Sequence, residues 1–423
     1  MEALSFMQEQ ELIPHLFRTE YSKITAVLCK CFGFEHIEVA EDLVSDTFLL
    51  AAETWGLKGL PGNPVAWLYT VSKNKAKDYL RHNSIFANKI APGLKHAQTD
   101  SPDLTELEID LSNRNIADSQ LQMIFAICHP SVSKEAQIGL SLRILCGFGI
   151  EEIADAFLTN KETINKRLFR AKEKLRNEKV KITFPPEAEM DERLDTVLAT
   201  LYLLFNEGYY SRSQNTTLRK DLCLEAMRLT NLLIESKVTN LPKANALLSL
   251  MCFHASRFEA RVDSKGEMIL YDDQDEQLWN QALIDEGIHF LNKASTGKKI
   301  SKFHLEAGIA YWHTIKTSTL EKWENILQLY NQLLQLEYSP VAALNRTYAL
   351  SRARGKEAGI IEAEKLDLGK NYLYHLLLGD LYLEMDEKKA LQHLEIAFAL
   401  AKSRNEKSTI GKKIRSIKDK QTV

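Results

Sequence analysis

The chain has 423 residues, 45% of them hydrophobic and 26% charged, with a net charge of −3. This composition is typical of a globular protein of about two to four domains, and the nearly balanced charge excludes a uniformly basic nucleic-acid coat. The six cysteines form neither a disulfide framework nor a zinc-ligand pattern. The amino-terminal residues lack the features of a secretory signal, and no run of eighteen apolar residues predicts a membrane span. We therefore expect a cytoplasmic protein without a metal or cofactor.

The hydrophobic pattern is helical almost throughout. Apolar residues recur at intervals of three and four, and only a few residues near Glu267–Tyr271 alternate. Eighteen glycines and ten prolines are few for this length, which favours helices joined by short turns. The sequence predicts an all-α fold.

Two stretches interrupt this pattern. Residues 84–118 carry six acidic and three basic side chains together with two prolines, which is typical of an acidic linker. Residues 179–190 contain Pro185 and Pro186 at their centre and form a second predicted linker. The predicted domains are therefore 1–83, 119–178 and 191–423.

The most informative segment, 149–176, predicts two helices joined by a tight turn. Asn160 stands where the second helix needs an N-cap, and Leu158 occupies a turn position that often holds glycine. The predicted buried face comprises Ile150, Ile153, Ala154 and Phe157, followed by Ile164, Leu168 and Ala171. The second helix directs Lys161, Glu162, Asn165, Lys166, Arg170 and Lys172 outward, with Arg167 at the edge.

The second helix of this segment lies in the strongest basic cluster within a predicted fold. Residues 161–181 contain nine lysines or arginines against three acids. A recognition helix in the DNA major groove needs such amide, guanidinium and ammonium groups for base edges and phosphates. The alternative is a solvated basic helix of a bundle.

Two further helices are predicted before residue 83. Residues 40–55 form an amphipathic helix. Its apolar face comprises Leu43, Val44, Thr47, Phe48 and Ala51, and its outer face comprises Asp42, Ser45, Asp46 and Leu49. An acidic, partly apolar outer face suits a basic helical partner, although such a face is often only solvated surface.

The next helix, 65–82, follows a predicted flexible loop at 56–63 and begins with Asn63 as N-cap and Pro64 at the first helical position. It carries a cation stripe of Lys73, Lys77 and Arg81, near Trp67, Tyr69, Asn74 and Lys75. Cations beside aromatic rings are what single-stranded DNA capture requires. The alternative is that the aromatic residues belong to the core.

These segments resemble a known family. Residues 40–55 with 63–82 resemble conserved region two of sigma-70-type initiation factors, and residues 121–176 resemble region four. The layout is similar to that of extracytoplasmic-function sigma factors. The resemblance implies docking of Asp42, Leu43, Asp46 and Phe48 on the clamp coiled coil of the polymerase β′ subunit, although Ser45 replaces a common glutamine.

The same resemblance implies two DNA-binding elements. The −10 element would be opened, and its non-template strand held, by loop 56–63 and the helix that carries Trp67, Lys73, Asn74, Lys77 and Arg81. The −35 element would be read by the segment Lys161–Lys172, in which Thr163 joins the outward residues named above. The partners that follow are core RNA polymerase and promoter DNA.

The remaining 230 or so residues resemble the helical extension of one subgroup of these factors, through 191–211, 261–287 and 339–350. Leu344, Asn345 and Tyr348 recur as Leu378, Gly379 and Tyr382, each 34 residues later, which is the tetratricopeptide period. We expect a tetratricopeptide-like array that can bind a protein partner. The acidic run 272–276 is interpreted as a solvated helix start and not as a metal site.

One aromatic and acidic cluster near the start of this extension has two interpretations. It is either a helix end that packs on the next repeat or a contact for the sigma domains or a partner. Its residues are Phe205, Asn206, Glu207, Gly208, Tyr209 and Tyr210.

The sequence therefore predicts an alternative sigma factor and not an enzyme, since it carries no nucleophile–base pair and no phosphate-binding glycine loop. Two other hypotheses are a helix-turn-helix regulator with a tetratricopeptide sensor and a helical scaffold. The cation stripe of 65–82 favours the sigma factor, because a regulator of duplex DNA has no use for a melting surface.

Overall fold

The computed structural model describes residues 2–90, 109–157, 159–209, 219–263, 269, 271–383, 385–402 and 404–420. Within these ranges the chain forms eighteen α-helices and no β-strand, so the predicted all-α fold is confirmed. The chain divides into two compact units, 1–204 and 205–423. No described helix is both long enough and apolar enough to cross a membrane.

The first unit is built around its first helix, α1, which packs against α2, α3 and α4. Tyr21, Ile24 and Leu28 of α1 are fully buried and supply the centre of the core. The unit also contains a 3₁₀ turn at Phe34–His36 and a π-helical turn at Ser141–Leu145. Its helices are α1 (Glu2–Phe32), α2 (Ile37–Lys58), α3 (Pro64–Ile90), α4 (Asn113–Ile127), α5 (Lys134–Leu140), α6 (Ile150–Ala156), α7 (Lys161–Asn177) and α8 (Glu187–Tyr209), the last of which continues past residue 204.

Two predicted helix caps are confirmed. The Asn63 side chain accepts a hydrogen bond of 3.0 Å from the Ala66 amide at the start of α3. The Asn160 side chain accepts one of 2.8 Å from the Thr163 amide at the start of α7. Each bond satisfies an amide that has no partner inside its helix.

The prediction of a loop over residues 56–63 is wrong for residues 56–58, which are helical. Helix α2 continues to Lys58 because Trp55, only 3% exposed, extends its buried stripe by another turn. The helix ends at Gly59, whose φ of 80° lies in the region that favours glycine and whose amide donates to the Trp55 carbonyl at 2.9 Å. The connection to α3 is therefore shorter than the sequence suggested.

The two predicted linkers are only partly observed. Helix α3 runs to Ile90, so the first residues of the predicted linker 84–118 are helical, and residues 91–108 lie outside the described residues. Leu158 in the turn after α6 also lies outside them. The second predicted linker, 179–190, is interrupted by the start of α8 at Glu187. The domain boundaries proposed from the sequence stay predictions.

The second unit stacks its helices mainly in chain order. Consecutive helices contact each other from α9 to α18, the arrangement expected of a helical array. Leu344 and Leu378, the equivalent leucines of the predicted repeat, are 4% and 2% exposed. The helices are α9 (Lys220–Glu235), α10 (Pro242–Ala255), α11 (Gln281–Ala294), α12 (Lys302–Trp312), α13 (Leu320–Leu336), α14 (Pro340–Arg354), α15 (Lys356–Glu364), α16 (Tyr372–Tyr382), α17 (Glu387–Leu400) and α18 (Arg404–Lys420).

The six cysteines are free thiols distributed over both units. Five are buried and Cys31 is half-buried. Burial raises the pKa of Cys128 to about 11 and that of Cys223 to about 12.

Candidate polymerase and nucleic-acid interface

The outer face of α2 is acidic, as the sequence predicted. Asp42, Ser45 and Asp46 are exposed, and Leu43 is half-buried beside them. The Asp46 Oδ2 atom lies 3.7 Å from Lys75 Nζ of α3, but both side chains keep substantial exposure. Such an exposed pair contributes little to stability, which leaves the acidic side chains available to a partner.

Phe48, which the resemblance placed among the docking residues, lies in the core. It is 5% exposed, and its ring centroid lies 5.1 Å from that of Phe17 and 6.4 Å from that of Tyr21. Phe48 therefore supports α2 from inside and leaves the outer face to Asp42 and Asp46.

Helix α3 carries the cation stripe along its outer side. Lys73 and Lys77 are half-buried, whereas Asn74 and Arg81 are exposed. The Arg81 guanidinium lies 3.4 Å from the carboxylate of Asp78, one helical turn earlier, and both side chains are exposed. The three cations follow one another at intervals of four residues along one side of the helix.

Trp67 at the beginning of α3 is half-buried and packs edge-to-face against Trp55, with ring centroids 5.3 Å apart. Its ring is therefore partly core and partly surface. The geometry fits a stacking platform held in place by a second aromatic ring.

A cleft of about 330 Å³ separates α3 from the residues that precede α4. It is lined by Tyr69, Thr70, Lys73, Ile109, Asp110 and Leu111. The Asp110 carboxylate accepts hydrogen bonds from the amide and hydroxyl of Ser112, at 2.8 and 2.9 Å. These bonds lower the pKa of Asp110, and the charge of Lys73 lowers it further. The described end of the acidic linker therefore lies beside the first cation of the stripe.

Helices α6 and α7 form two adjacent helices joined by a short turn. Ile153 and Ala154 of α6 are buried as predicted, and so are Ile164, Leu168 and Ala171 of α7. Ile150 and Phe157, which were predicted on the same buried face, are only half-buried. The predicted outward side chains Lys161, Glu162, Thr163, Asn165, Lys166 and Arg170 are all exposed.

Two aromatic rings modify this outer surface. Arg167 is half-buried, with its guanidinium 5.5 Å from the centroid of the Phe157 ring. Phe169 is 57% exposed between the cations, which the sequence analysis did not anticipate. Its position off the apolar stripe of α7 was the signal that could have revealed it.

Lys172 does not face outward, and the prediction that it does is wrong. Only 12% of its side chain is exposed, and its ammonium pairs with the Glu41 carboxylate and lies 3.9 Å from that of Glu38. The reason is that the last turns of α7 pack against the 3₁₀ turn that precedes α2, where Arg176 Nε donates to the Phe34 carbonyl at 3.3 Å.

Lys172 belongs to a charged group that we call the ion cluster, formed by Glu38, Glu41, Arg143, Lys172 and Arg176. Arg143 Nε lies 3.2 Å from the Glu41 carboxylate, and Arg176 pairs with Glu38. Sequence reasoning missed this cluster. The signal in the sequence was the helical spacing of Glu41, which places this acid on the same face of α2 as Val44 and Phe48. In the structure Glu41 is indeed only 7% exposed.

The aromatic cluster at the end of α8 belongs to the interior of the second unit. Phe205 and Tyr209 are 1% and 2% exposed and stack with ring centroids 5.6 Å apart. Gly208 permits the close approach of α9, because a Cβ there would lie 2.7 Å from Cys223 Sγ. Glu207 is exposed, Asn206 is half-buried and Tyr210 lies outside the described residues. The contact proposed for this cluster with the sigma domains stays a prediction.

The acidic run 272–276 extends from the end of one short 3₁₀ turn, Tyr271–Asp273, to the start of a second, Glu276–Leu278, and its four carboxylates are exposed. Asp275 caps the second turn by accepting from the Gln277 amide at 2.9 Å. In the part of the chain that the structure describes, no three potential metal ligands are grouped to hold an ion.

Comparisons with known proteins place these surfaces in context. Residues 16–85, which contain most of α1 to α3, match sigma-70 region 2, and residues 193–295 match a family of unknown function (DUF6596). An uncharacterized protein of Rhizobium meliloti (strain 1021) is 31% identical over 382 residues, which cover 89% of each chain. No solved structure matches the chain significantly. The chain therefore contains a segment that matches sigma-70 region 2, and it belongs to one family with the Rhizobium meliloti protein.

Proposed function

We propose that the chain is an alternative sigma factor of the extracytoplasmic-function type, which binds core RNA polymerase and directs initiation at particular promoters. The observation that carries this proposal is the match of residues 16–85 to sigma-70 region 2, combined with the surfaces of that segment. The acidic face of α2 and the cation stripe of α3 lie on one three-helix body. The surface that docks on polymerase and the surface that captures the DNA strand therefore lie on the same three-helix body.

In this proposal α2 contacts the clamp coiled coil of the β′ subunit through Asp42 and Asp46. Exposed carboxylates attract a basic helical partner and accelerate its encounter. The neighbouring Leu43 and the exposed Leu49 supply apolar contact area on the same helix. An apolar centre with charges around it is a common composition for a transient interface.

The two DNA elements are bound by different helices. Helix α3 holds the melted −10 strand with Lys73, Asn74, Lys77 and Arg81, beside Trp67. Helices α6 and α7 act as a helix-turn-helix that reads the −35 duplex through Lys166 and Arg170. The support for this assignment is the exposure of Lys166 and Arg170, and of Asn74 and Arg81, on the outer sides of their helices.

The second unit acts, in this proposal, as a tetratricopeptide-like extension that modulates transcription. The support is the chain-order stacking of α9 to α18 and the buried leucines of the 34-residue repeat. Fusion to the sigma segments holds the extension at high effective concentration beside them. A modest intrinsic affinity for the sigma segments or for polymerase is therefore sufficient for the extension to act.

The test is capture of purified core RNA polymerase by the full-length chain. The double variant Asp42→Lys/Asp46→Lys should bind core about tenfold more weakly or worse, because both reversed charges would repel a basic coiled coil. The control is Glu135→Lys/Asp155→Lys, which makes the same change in net charge at exposed positions of the same unit.

Two outcomes contradict the proposal. Unchanged capture by Asp42→Lys/Asp46→Lys would remove the docking assignment. Failure of the wild-type chain to capture core, with duplex DNA binding intact, would favour the helix-turn-helix regulator instead.

A further inference from the structure

The second unit contains two buried cations beside one tyrosine ring. The guanidinium of Arg257 lies 5.4 Å from the centroid of the Tyr271 ring, and the ammonium of Lys322 lies 5.3 Å from the same centroid. Arg257 is 8% exposed and Lys322 is 1% exposed. Few proteins bury such groups unless a negative charge compensates them.

Arg257 has no compensating carboxylate within the described part of the chain. It follows α10, where its backbone amide donates to the His254 carbonyl at 3.3 Å. Its Nε atom is buried and has no hydrogen-bond partner, and the described residues provide no ion pair for its guanidinium. A buried guanidinium in this state carries a large desolvation cost.

Lys322 is satisfied only by neutral groups. Its ammonium donates to the Tyr271 hydroxyl at 3.2 Å and to the Ile315 carbonyl. The acidic side chains that act on it electrostatically, Asp272 and Glu276, are exposed and form no ion pair with it in the described structure. Burial lowers the pKa of Lys322, with the charge of Asp272 acting in the opposite direction.

Two aromatic side chains with ring N–H groups lie beside the same tyrosine ring. The His313 ring lies 5.2 Å from the Tyr271 ring, and burial together with Arg257 and Lys322 lowers its pKa to about 3. Trp279 lies 6.1 Å from Tyr271, and its indole Nε1 is buried without a partner. Arg257, Lys322 and Trp279 therefore all lie around the Tyr271 ring, and the exposed carboxylates of Asp272 and Glu276 act on this group without forming an ion pair with either cation in the described structure.

We infer that this place is a binding site for the oxyanion group of a small molecule, a carboxylate or a phosphate. Arg257 supplies a planar fork that matches an oxyanion, Lys322 supplies a second positive charge, and the Trp279 indole donates a further hydrogen bond. The ligand would restore the missing negative charge, which explains why the fold tolerates the two buried cations. This site lies wholly within the second unit and does not depend on the proposed function.

The test measures ligand binding to the full-length chain in Tris-chloride buffer. Inorganic phosphate and succinate are the two probes, which separate a phosphate site from a carboxylate site, and sodium chloride at equal ionic strength is the blank. We expect one probe to bind saturably by calorimetry and to raise the unfolding midpoint. Arg257→Met and Lys322→Met should each weaken that binding by about tenfold or more. Arg354→Met is the matched control, since Arg354 is exposed and paired with Glu324.

A second measurement separates a ligand-binding arginine from a structural one. Without either probe, Arg257→Met should unfold at a midpoint no lower than that of the wild type, because the variant removes an uncompensated buried charge. A clearly lower midpoint would instead show that the arginine stabilises the fold by itself and would overturn the inference. So would the lack of any saturable effect of phosphate and succinate, or equal binding by Arg257→Met and the wild type.

Discussion

Lys172 of α7 and Glu41 of α2 form an ion pair between residues that are 131 positions apart in the sequence. Only 12% and 9% of their side chains are exposed, and Glu41 is also 3.2 Å from Arg143. The pair joins a helix of the sigma-70 region 2 match to the helix proposed to read the −35 element. One cation of that helix is thus already bound by the protein in this structure.

The first prediction concerns the stability contributed by the ion cluster. Glu41→Gln should lower the free energy of unfolding of the first unit by about 3 kcal/mol, because it leaves Lys172 and Arg143 without their shared carboxylate. Urea denaturation followed by tryptophan fluorescence measures the change. Asp42→Asn, exposed one residue later, is the control and should stay within about 0.5 kcal/mol of wild type. Equal stability of the two variants would show that the cluster is energetically neutral.

The second prediction separates the exposed cations of α7 from the paired one. Lys166→Ala and Arg170→Ala should each weaken binding to a random-sequence duplex and reduce the salt dependence by about one ion. Lys172→Ala should leave the salt dependence unchanged, since Glu41 holds its ammonium. Fluorescence anisotropy at several salt concentrations measures all three. An equal effect of Lys172→Ala would mean that the pair with Glu41 opens when DNA binds.

The third prediction concerns α3. Lys77→Ala and Arg81→Ala should leave duplex binding unchanged but reduce open-complex formation several-fold, because these cations are proposed to hold a single strand. Permanganate reactivity of thymines at the cognate promoter, with core polymerase present, measures the melted state. Lys166→Ala is the converse control, which should weaken duplex binding first. A loss of duplex binding in the α3 variants would contradict this division of labour.

The fourth prediction concerns where the extension can be removed. Within the first unit, Arg193 donates to the Phe125 carbonyl at 2.6 Å, and Thr200 donates to the buried Gln137 side chain at 2.8 Å. A fragment that ends after Lys181 lacks these contacts, so it should melt several degrees below a fragment that ends after Leu204. Thermal unfolding of the two fragments compares them directly. Identical melting temperatures would show that the first part of α8 adds nothing to the first unit.

Removal of the extension after Leu204 should also lower transcription several-fold. We expect a loss and not a gain, because an extension that modulates transcription by helping the sigma segments to hold polymerase would take that help away with it. Run-off transcription from the cognate promoter compares the fragment with the full-length chain. Equal output would show that the extension only tethers another partner, and a gain would show that it inhibits.

The fifth prediction concerns acid. The pKa of His313 is about 3 in the folded chain and about 6.5 when unfolded, so the unfolded state binds the proton more readily between these values. Stability should therefore fall as pH drops below 6.5, by about 2 kcal/mol at pH 5 for this one group. The groups that face it include Arg257, Lys322 and His254, together with the rings of Tyr271 and Trp323.

Urea denaturation at pH 7 and pH 5 measures this acid sensitivity. His313→Asn should have a shallower pH dependence than the wild type, because asparagine does not titrate. His304→Asn is a matched control. Burial lowers the pKa of His304, but this residue is only moderately buried and its hydrogen bonds to the backbone of Ala294 and Ser301 act in the opposite direction. Superimposable pH profiles for wild type and His313→Asn would contradict the assignment.

Local signals in the sequence predicted local structure well. The caps Asn63 and Asn160 and the outer face of α2 follow from side-chain chemistry and helical period alone. Burial of Lys172 could not be predicted in this way, because period shows which side of a helix is apolar but not which other helix covers its end. The group around Arg257, Tyr271 and Lys322 could not be predicted for the same reason, since it joins residues 14 to 65 positions apart only after the helices stack.

The burial of the thiols limits the signals to which the chain can respond directly. Thiolate is the species that oxidants attack, and burial raises the pKa of Cys29, Cys31 and Cys252 as well as those of Cys128 and Cys223. At neutral pH these five thiols remain protonated, and all of them except the half-buried Cys31 are shielded from solvent. These five thiols therefore react slowly with peroxide or with disulfides while the chain is folded.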